Sequence, residues 1–168
     1  KEFDTRFLFL MPGFNVRPME IQAAVGLVQL ERMDHLLSLR DHFANHIINA
    51  FTDIDWLRVI GSERKNIDME RKERNHSWMN ISFMINSNAP TALKDVVSIF
   101  EESGIETRPI ITGNFANQPA AKYINEIKSY PKAQILTDQG FMIGCHAAEI
   151  SDLLATTIYS IVTKLKLL

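Results

Sequence analysis

One apolar stripe constrains this chain more than any other feature. Pro18 suits the first turn of a helix, where its missing N–H would have had no partner. From Met19 to about Phe51 no further proline occurs, and apolar side chains recur at Ala23, Leu27, Leu30, Met33, Leu37, Phe43, Ile47 and Phe51. Steps of mostly three and four place them on one side of a helix. Such a helix would run about 50 Å at ~1.5 Å per residue. A compact chain of this size has a radius of gyration of only about 15 Å. Either the helix breaks, near Asp34 or Asp41, or it leaves the domain and packs on something outside this chain. We favour the second. Gly26, inside the stripe, costs stability relative to alanine and hints at close packing there.

The 168 residues suffice for one domain with its own core, and 46% hydrophobic with 23% charged residues is ordinary globular composition. A net charge of −2 gives no support for nucleic-acid binding, which needs a clustered basic face. No apolar run is long enough to cross a bilayer, and no signal peptide opens the sequence. Cys145 is the only cysteine, so no internal disulfide can form; a reducing compartment, the cytoplasm, is expected. The sequence opens on Lys1 with a dense motif close behind, which reads as a piece of a larger protein.

After the stripe comes a strand-like run over residues 56–60. Residues 61–75 follow, nearly all polar and of mixed sign, as in a solvated loop. Residues 76–85 alternate as a strand, with Met79, Ile81, Phe83 and Ile85 on one face and Trp78, Asn80, Ser82 and Met84 on the other. A helix starts near Pro90, buries Leu93, Val96, Val97 and Phe100, and ends at Gly104. A second strand, 105–111, belongs at an edge because Pro109 cannot donate to a ladder. A short helix over 120–126, another over 133–139, a strand over 141–143 and a last helix from Ser151 complete the order. The pattern predicts an α+β layer in which a small sheet packs beneath helices.

Several chemistries can be set aside. The seven glycines are scattered and form no phosphate loop. His42 and His46 have zinc-ligand spacing but lack the glutamate of a metalloprotease helix, and Cys145 and His146 point to opposite sides if they lie on a strand. Three polar clusters remain. Asn15 and Arg17 stand at a helix mouth, where free N–H groups favour an anion such as phosphate; a plain capping role fits the spacing equally well. Arg108, Asn114 and Gln118 surround the end of a strand, as ligand-facing loop residues do, although Thr, Gly and Asn also build ordinary turns. His146 leaves the strand Gly140-Phe141-Met142-Ile143-Gly144, either as a titratable site group or as a helix cap.

In these clusters the chain resembles the DegT/StrS-type nucleotide-sugar aminotransferase and dehydratase family of fold-type I pyridoxal-phosphate enzymes. The resemblance lies in Gly13-Phe14-Asn15-Val16-Arg17-Pro18-Met19-Glu20, in Gly104-Ile105-Glu106-Thr107-Arg108-Pro109-Ile110, in Gly113-Asn114-Phe115 with Gln118-Pro119-Ala120, and in Gly140-Phe141-Met142-Ile143-Gly144-Cys145-His146. Together these are most similar to the 4-keto-6-deoxyhexose 3-dehydratase branch.

The resemblance implies an α+β small C-terminal domain: residues 1–17 close the large-domain part and carry a cofactor-phosphate loop, 18–51 form the connecting helix, and 52–168 form the domain with a small, mostly antiparallel sheet. It further implies pyridoxal 5'-phosphate (PLP) or its amine form (PMP) as cofactor, a nucleotide-linked 4-keto-6-deoxyhexose as substrate, and a homodimer with shared active sites. Asn15, supported by Arg17, would meet the cofactor phosphate of the neighbouring subunit. Arg108, Asn114, Gln118 and His146 would lie near the substrate. The family's cofactor-linking lysine, or the histidine replacing it in 3-dehydratases, precedes the asparagine loop and has no counterpart here, so this chain alone is expected to be inactive. Dehydration or transamination in surface-polysaccharide biosynthesis follows as the parent activity. A dimerisation or regulatory module without chemistry is the rival, motivated by the overlong stripe.

Overall fold

A computed structural model describes residues 7–11, 13, 19–62, 76–124 and 128–168. The stripe forms two helices, α1 (Glu20–Glu31) and α2 (Met33–Ala50). They meet at Arg32, whose φ of −99° and ψ of 0° depart from the helix while its N–H still reaches the Gln29 carbonyl at 3.2 Å. Both sequence alternatives are thus partly realised. The helix is interrupted two residues before Asp34, and its first half is left uncovered.

No residue of α1 is buried: Ile21, Val25, Leu27 and Leu30 keep 58–69% of their surface exposed. A Cβ at Gly26 would meet nothing within 4 Å, so the close packing expected there is not made by the described residues. The second half behaves differently. Phe43, Ala44, Ile47 and Ile48 are buried, and so is Asp41, where no break occurs.

Among the described residues four antiparallel strands follow in the spatial order β1-β2-β4-β3: β1 (Leu57–Val59), β2 (Asn80–Ile85), β3 (Thr107–Arg108) and β4 (Gly140–Gly144). Registry pairs Ile81 with Ile143 and Phe83 with Phe141, so the apolar residues of alternate positions share one face. Against that face pack α2, α3 (Leu93–Glu102) and α5 (Asp152–Lys166). Their contact is a cluster of four rings. Phe83 lies 5.0 Å from Phe141 and 5.2 Å from Phe51, and Phe100 sits 5.1 Å from Phe141. Each fully buried ring contributes about 1.5–3 kcal/mol by leaving water. Ile158, Ile161 and Leu165 of α5 complete the core, and Ser151 caps that helix by accepting from the Leu154 N–H at 3.2 Å. A further helix, α4 (Pro131–Gln139), leads directly into β4 and also touches β2.

Three local expectations need correction. Trp78 takes a φ of +45°, which turns its ring inward and leaves Met79 66% exposed, so the alternation begins only at Asn80. The predicted strand 105–111 pairs over Thr107–Arg108 alone. It is an edge strand, as Pro109 requires, and the chain turns at once, with the Gly113 N–H bonded to the Ile110 carbonyl at 2.8 Å. The helix expected over 120–126 is, over its described part, a tighter 3-10 turn, Pro119–Tyr123, preceded by another over Phe115–Asn117; residues 125 and 126 lie outside the described residues. Gly104 ends α3 with a φ of +86°, as anticipated. Most of the polar stretch 61–75 lies outside the described residues.

Candidate functional site

A cleft of about 510 Å³ opens where β2, β3 and β4 end beside α2 and α5. Its floor is apolar, with Phe43, Ile143 and Ile158; Asn80, Glu106, Arg108 and His146 supply the polar rim. Arg108 comes from edge strand β3, which leaves its side chain unscreened by a further strand. Its guanidinium donates to Glu106 through Nε at 3.1 Å and Nη2 at 3.0 Å, and it lies 5.9 Å from the centre of the Phe7 ring. Both partners of the ion pair are more than half exposed, so the pair holds Arg108 only weakly and an anionic ligand can compete for it. His146 follows β4 and sets its ring against the edge of Phe43, with centroids 6.0 Å apart.

The expected site residues separate into two groups. Arg108 and His146 share the cleft. Asn114 and Gln118 are buried elsewhere and are committed to protein partners. Asn114 Oδ1 accepts from the Ala116 N–H at 3.1 Å, its Nδ2 donates to Gln134 at 3.2 Å, and its own N–H donates to Thr137 Oγ1 at 2.6 Å. The Gln118 amide is taken up by the backbone of Phe7 and Phe9. Asn15 and Arg17 lie outside the described residues.

Sequence reasoning missed Asn80 and Glu106 as rim residues. Asn80 was legible as a member of the sheet face opposite Ile81, but nothing in its spacing announced a cleft. Gln134 and Thr137, which fix the 113–117 turn, gave no signal because their partners are twenty or so residues distant.

Cys145 is not poised as a nucleophile. Burial pushes its thiol up to about 11; Arg40 opposes that shift and Asp41 adds to it. The sulfur lies 3.6 Å from the Arg40 carbonyl, the place of a structural thiol. Among the described residues no group of three or more His, Cys, Asp or Glu could hold a metal ion, and no helix is long and apolar enough to cross a membrane.

The small antiparallel sheet under three helices is an arrangement this chain shares with solved PLP-dependent enzymes. The solved structure of Escherichia coli GDP-4-keto-6-deoxy-D-mannose-3-dehydratase with bound hydrated PLP superposes with a TM-score of 0.69 at 30% identity, covering 93% of this chain and 38% of that one. An aminotransferase from Psychrobacter cryohalolentis, at 20% identity, shares the fold with a TM-score of 0.71 over 89% of this chain and 39% of its own.

The chain belongs to the DegT/DnrJ/EryC1/StrS aminotransferase family, whose profile matches residues 1–163. In sequence it is 31% identical over 154 residues to the GDP-4-keto-6-deoxy-D-mannose 3-dehydratase of Escherichia coli O55:H7, across 90% of this chain. It spans 37% of that relative's length.

Proposed function

We propose that this chain is the small-domain part of a PLP- or PMP-dependent enzyme acting on a GDP-linked 4-keto-6-deoxy sugar, with 3-dehydration as the reaction. The observation that carries this reading is the meeting of Arg108 and His146 on one cleft in a family member whose 31% identical relative is a 3-dehydratase. The planar guanidinium of Arg108 suits a diphosphate, gripping two oxygens at once after exchanging its weak tie to Glu106. His146 offers the sugar a hydrogen bond or a proton across the same cleft. The apolar floor of Phe43, Ile143 and Ile158 excludes water beneath the ligand.

The described residues fit an entrance for an anionic ligand and not a covalent cofactor seat, since no lysine lines the cleft. The cofactor-linking position belongs on this reading to a part of the protein outside this sequence. Asn15 and Arg17 would hold the cofactor phosphate of a neighbouring subunit in a homodimer, and the apolar side chains of α1 are then covered by the rest of the assembly. When bound, the cofactor supplies the electron sink. This domain's residues orient the sugar nucleotide and shield it, while Asn114 and Gln118 hold the loops around them.

The test is turnover of GDP-4-keto-6-deoxymannose by the full-length enzyme, with product mass read by mass spectrometry. Loss of the C3 oxygen upholds the dehydratase; gain of an amine replaces it with the family's aminotransferase reaction. Arg108→Ala should raise KM about tenfold through loss of a charge-assisted contact, with the PLP absorbance retained. A KM unmoved by that change would remove Arg108 from the substrate. A full-length protein that assembles but converts nothing and binds no PLP would leave the non-catalytic module as the better reading.

A further inference from the structure

We propose that the open sheet face over Gly144 seats the base of the sugar nucleotide, and that the Asn80 amide, oriented by Ser82, selects guanine there. This base seat deepens the sugar-nucleotide reading of the cleft and rests on it. Strand register places its parts. Asn80 pairs with Gly144 and Ser82 with Met142 across β2 and β4, and Met142 pairs in turn with Arg108 on β3. Paired residues point to the same side of a sheet, so these five share the face turned away from Ile81, Phe83 and Ile143. Asn80, Met142, Gly144 and Arg108 line the cleft, together with Met79.

Gly144 leaves that face bare. Among the described residues a Cβ added there would meet nothing within 4 Å, whereas one added at Gly140 would come 2.6 Å from Ile110 Cδ1. A flat heterocycle can lie on the backbone at Gly144, flanked by the thioethers of Met79 and Met142, which suit contact with an aromatic ring. Asn80 stands one strand to one side, and Arg108 one strand to the other and two residues along. Their backbones are therefore about 12 Å apart, at ~4.8 Å between strands and ~3.4 Å per residue. With both side chains reaching inward, that span takes a base at one end and a diphosphate at the other. Ser82 Oγ donates to Asn80 Oδ1 at 3.0 Å. The bond turns the acceptor end of the amide along β2 and leaves Nδ2, a donor, as the end offered to a ligand. Guanine presents two adjacent acceptors, O6 and N7, where adenine sets its own N6 donor beside N7. A donor-only contact favours guanine.

The experiment uses the full-length enzyme loaded with PLP, and calorimetry measures its affinity for GDP, ADP and inorganic pyrophosphate. The parent should prefer GDP to ADP about tenfold, the worth of one hydrogen bond. Asn80→Ala should erase that preference by weakening GDP alone. Ser82→Ala should narrow it by admitting ADP, because the released amide can turn its oxygen to the adenine N6 amine. Gly144→Val, which puts a branched side chain on the bare strand, should weaken both nucleotides and spare pyrophosphate. A parental preference for ADP, or none, overturns the proposal, and so does an Asn80→Ala variant that keeps the preference for GDP. Pyrophosphate weakened by Asn80→Ala as much as GDP overturns it too, by placing Asn80 at the diphosphate. If Arg108→Ala leaves pyrophosphate affinity unmoved while Asn80→Ala still erases the GDP preference, the diphosphate role of Arg108 falls and the base seat is upheld. Should Asn80→Ala fail to fold, Ser82→Ala and Gly144→Val decide: tighter ADP in the first supports the seat, and nucleotide affinities unaltered in both overturn it.

Discussion

Gly113→Ala should unfold the site turn at a cost that can be assembled from two parts. Gly113 has a φ of +62°, and an alanine held in that left-handed region costs about 1–2 kcal/mol. Its new Cβ would lie 2.5 Å from Thr137 Oγ1 and 3.1 Å from Thr137 Cβ. Thr137 cannot simply swing away, because its hydroxyl donates to the Ala133 carbonyl at 3.0 Å and accepts from the Asn114 N–H at 2.6 Å. Displacing it strands a part-buried donor, worth about 1–3 kcal/mol. The sum is about 2–5 kcal/mol, a large share of the ~5–15 kcal/mol that holds a typical domain together. Urea unfolding followed by tryptophan fluorescence measures it. The second arm is the same change made in Thr137→Ala, where the contacts with Oγ1 and Cγ2 vanish and only the 3.1 Å approach to Cβ stays, so the loss should shrink towards the backbone part of about 1–2 kcal/mol. A loss equally large in both backgrounds, or a negligible loss in the first, refutes the reasoning.

Gly26→Ala should act with the opposite sign in this chain, raising stability by about 0.5–1 kcal/mol and adding helical circular dichroism at 222 nm, because the helix position is open. A fall in stability would mean that Gly26 is already closely packed. Cys145 should resist alkylation by iodoacetamide up to about pH 9, reacting on the order of a hundredfold more slowly than in urea, since its thiol ionises near 11 against an ordinary 9.0. The raised value makes the stability contribution complete below pH 9 and lost as pH climbs towards 11, so the urea midpoint should drop across that window. Fast labelling of the folded chain at pH 8 would contradict this.

The core was legible because it depends on local periodicity. Val96 and Phe100, or Ile158, Ile161 and Leu165, announce their shared faces from spacing alone, and the structure buries them. Pro109 likewise gave away the edge strand. Where backbone conformation departs from the periodic ideal, the sequence is silent: nothing in its neighbours marks Trp78 for a φ of +45°, and Arg32 carries no breaker signal. The site was half legible. Polar residues in a loop look alike whether they face a ligand or one another, and only tertiary contacts distinguish Arg108, exposed beside a cleft, from Asn114 and Gln118, whose polar atoms are consumed at partners 20 and 109 positions distant. The family motif brought all of them forward without sorting them.

The two helices of the stripe obey one pattern but different energetics. A helix of about 12–15 residues or fewer is marginal in water unless a surface covers its apolar side. α2 has that surface, since Phe43, Ile47 and Phe51 meet the strands and the four-ring cluster. Among the described residues α1, with 12 residues and none buried, has only its continuation across Arg32 and the Gln22 side chain, which accepts from the Met19 N–H at 3.1 Å. Capping and nucleation by α2 are small contributions beside five apolar side chains of α1 left in water, Ile21, Val25, Leu27, Val28 and Leu30. A sequence that spends so many apolar residues on an open face is stable as a helix chiefly when that face is covered. The order of α1 is therefore expected to rise when that face is covered.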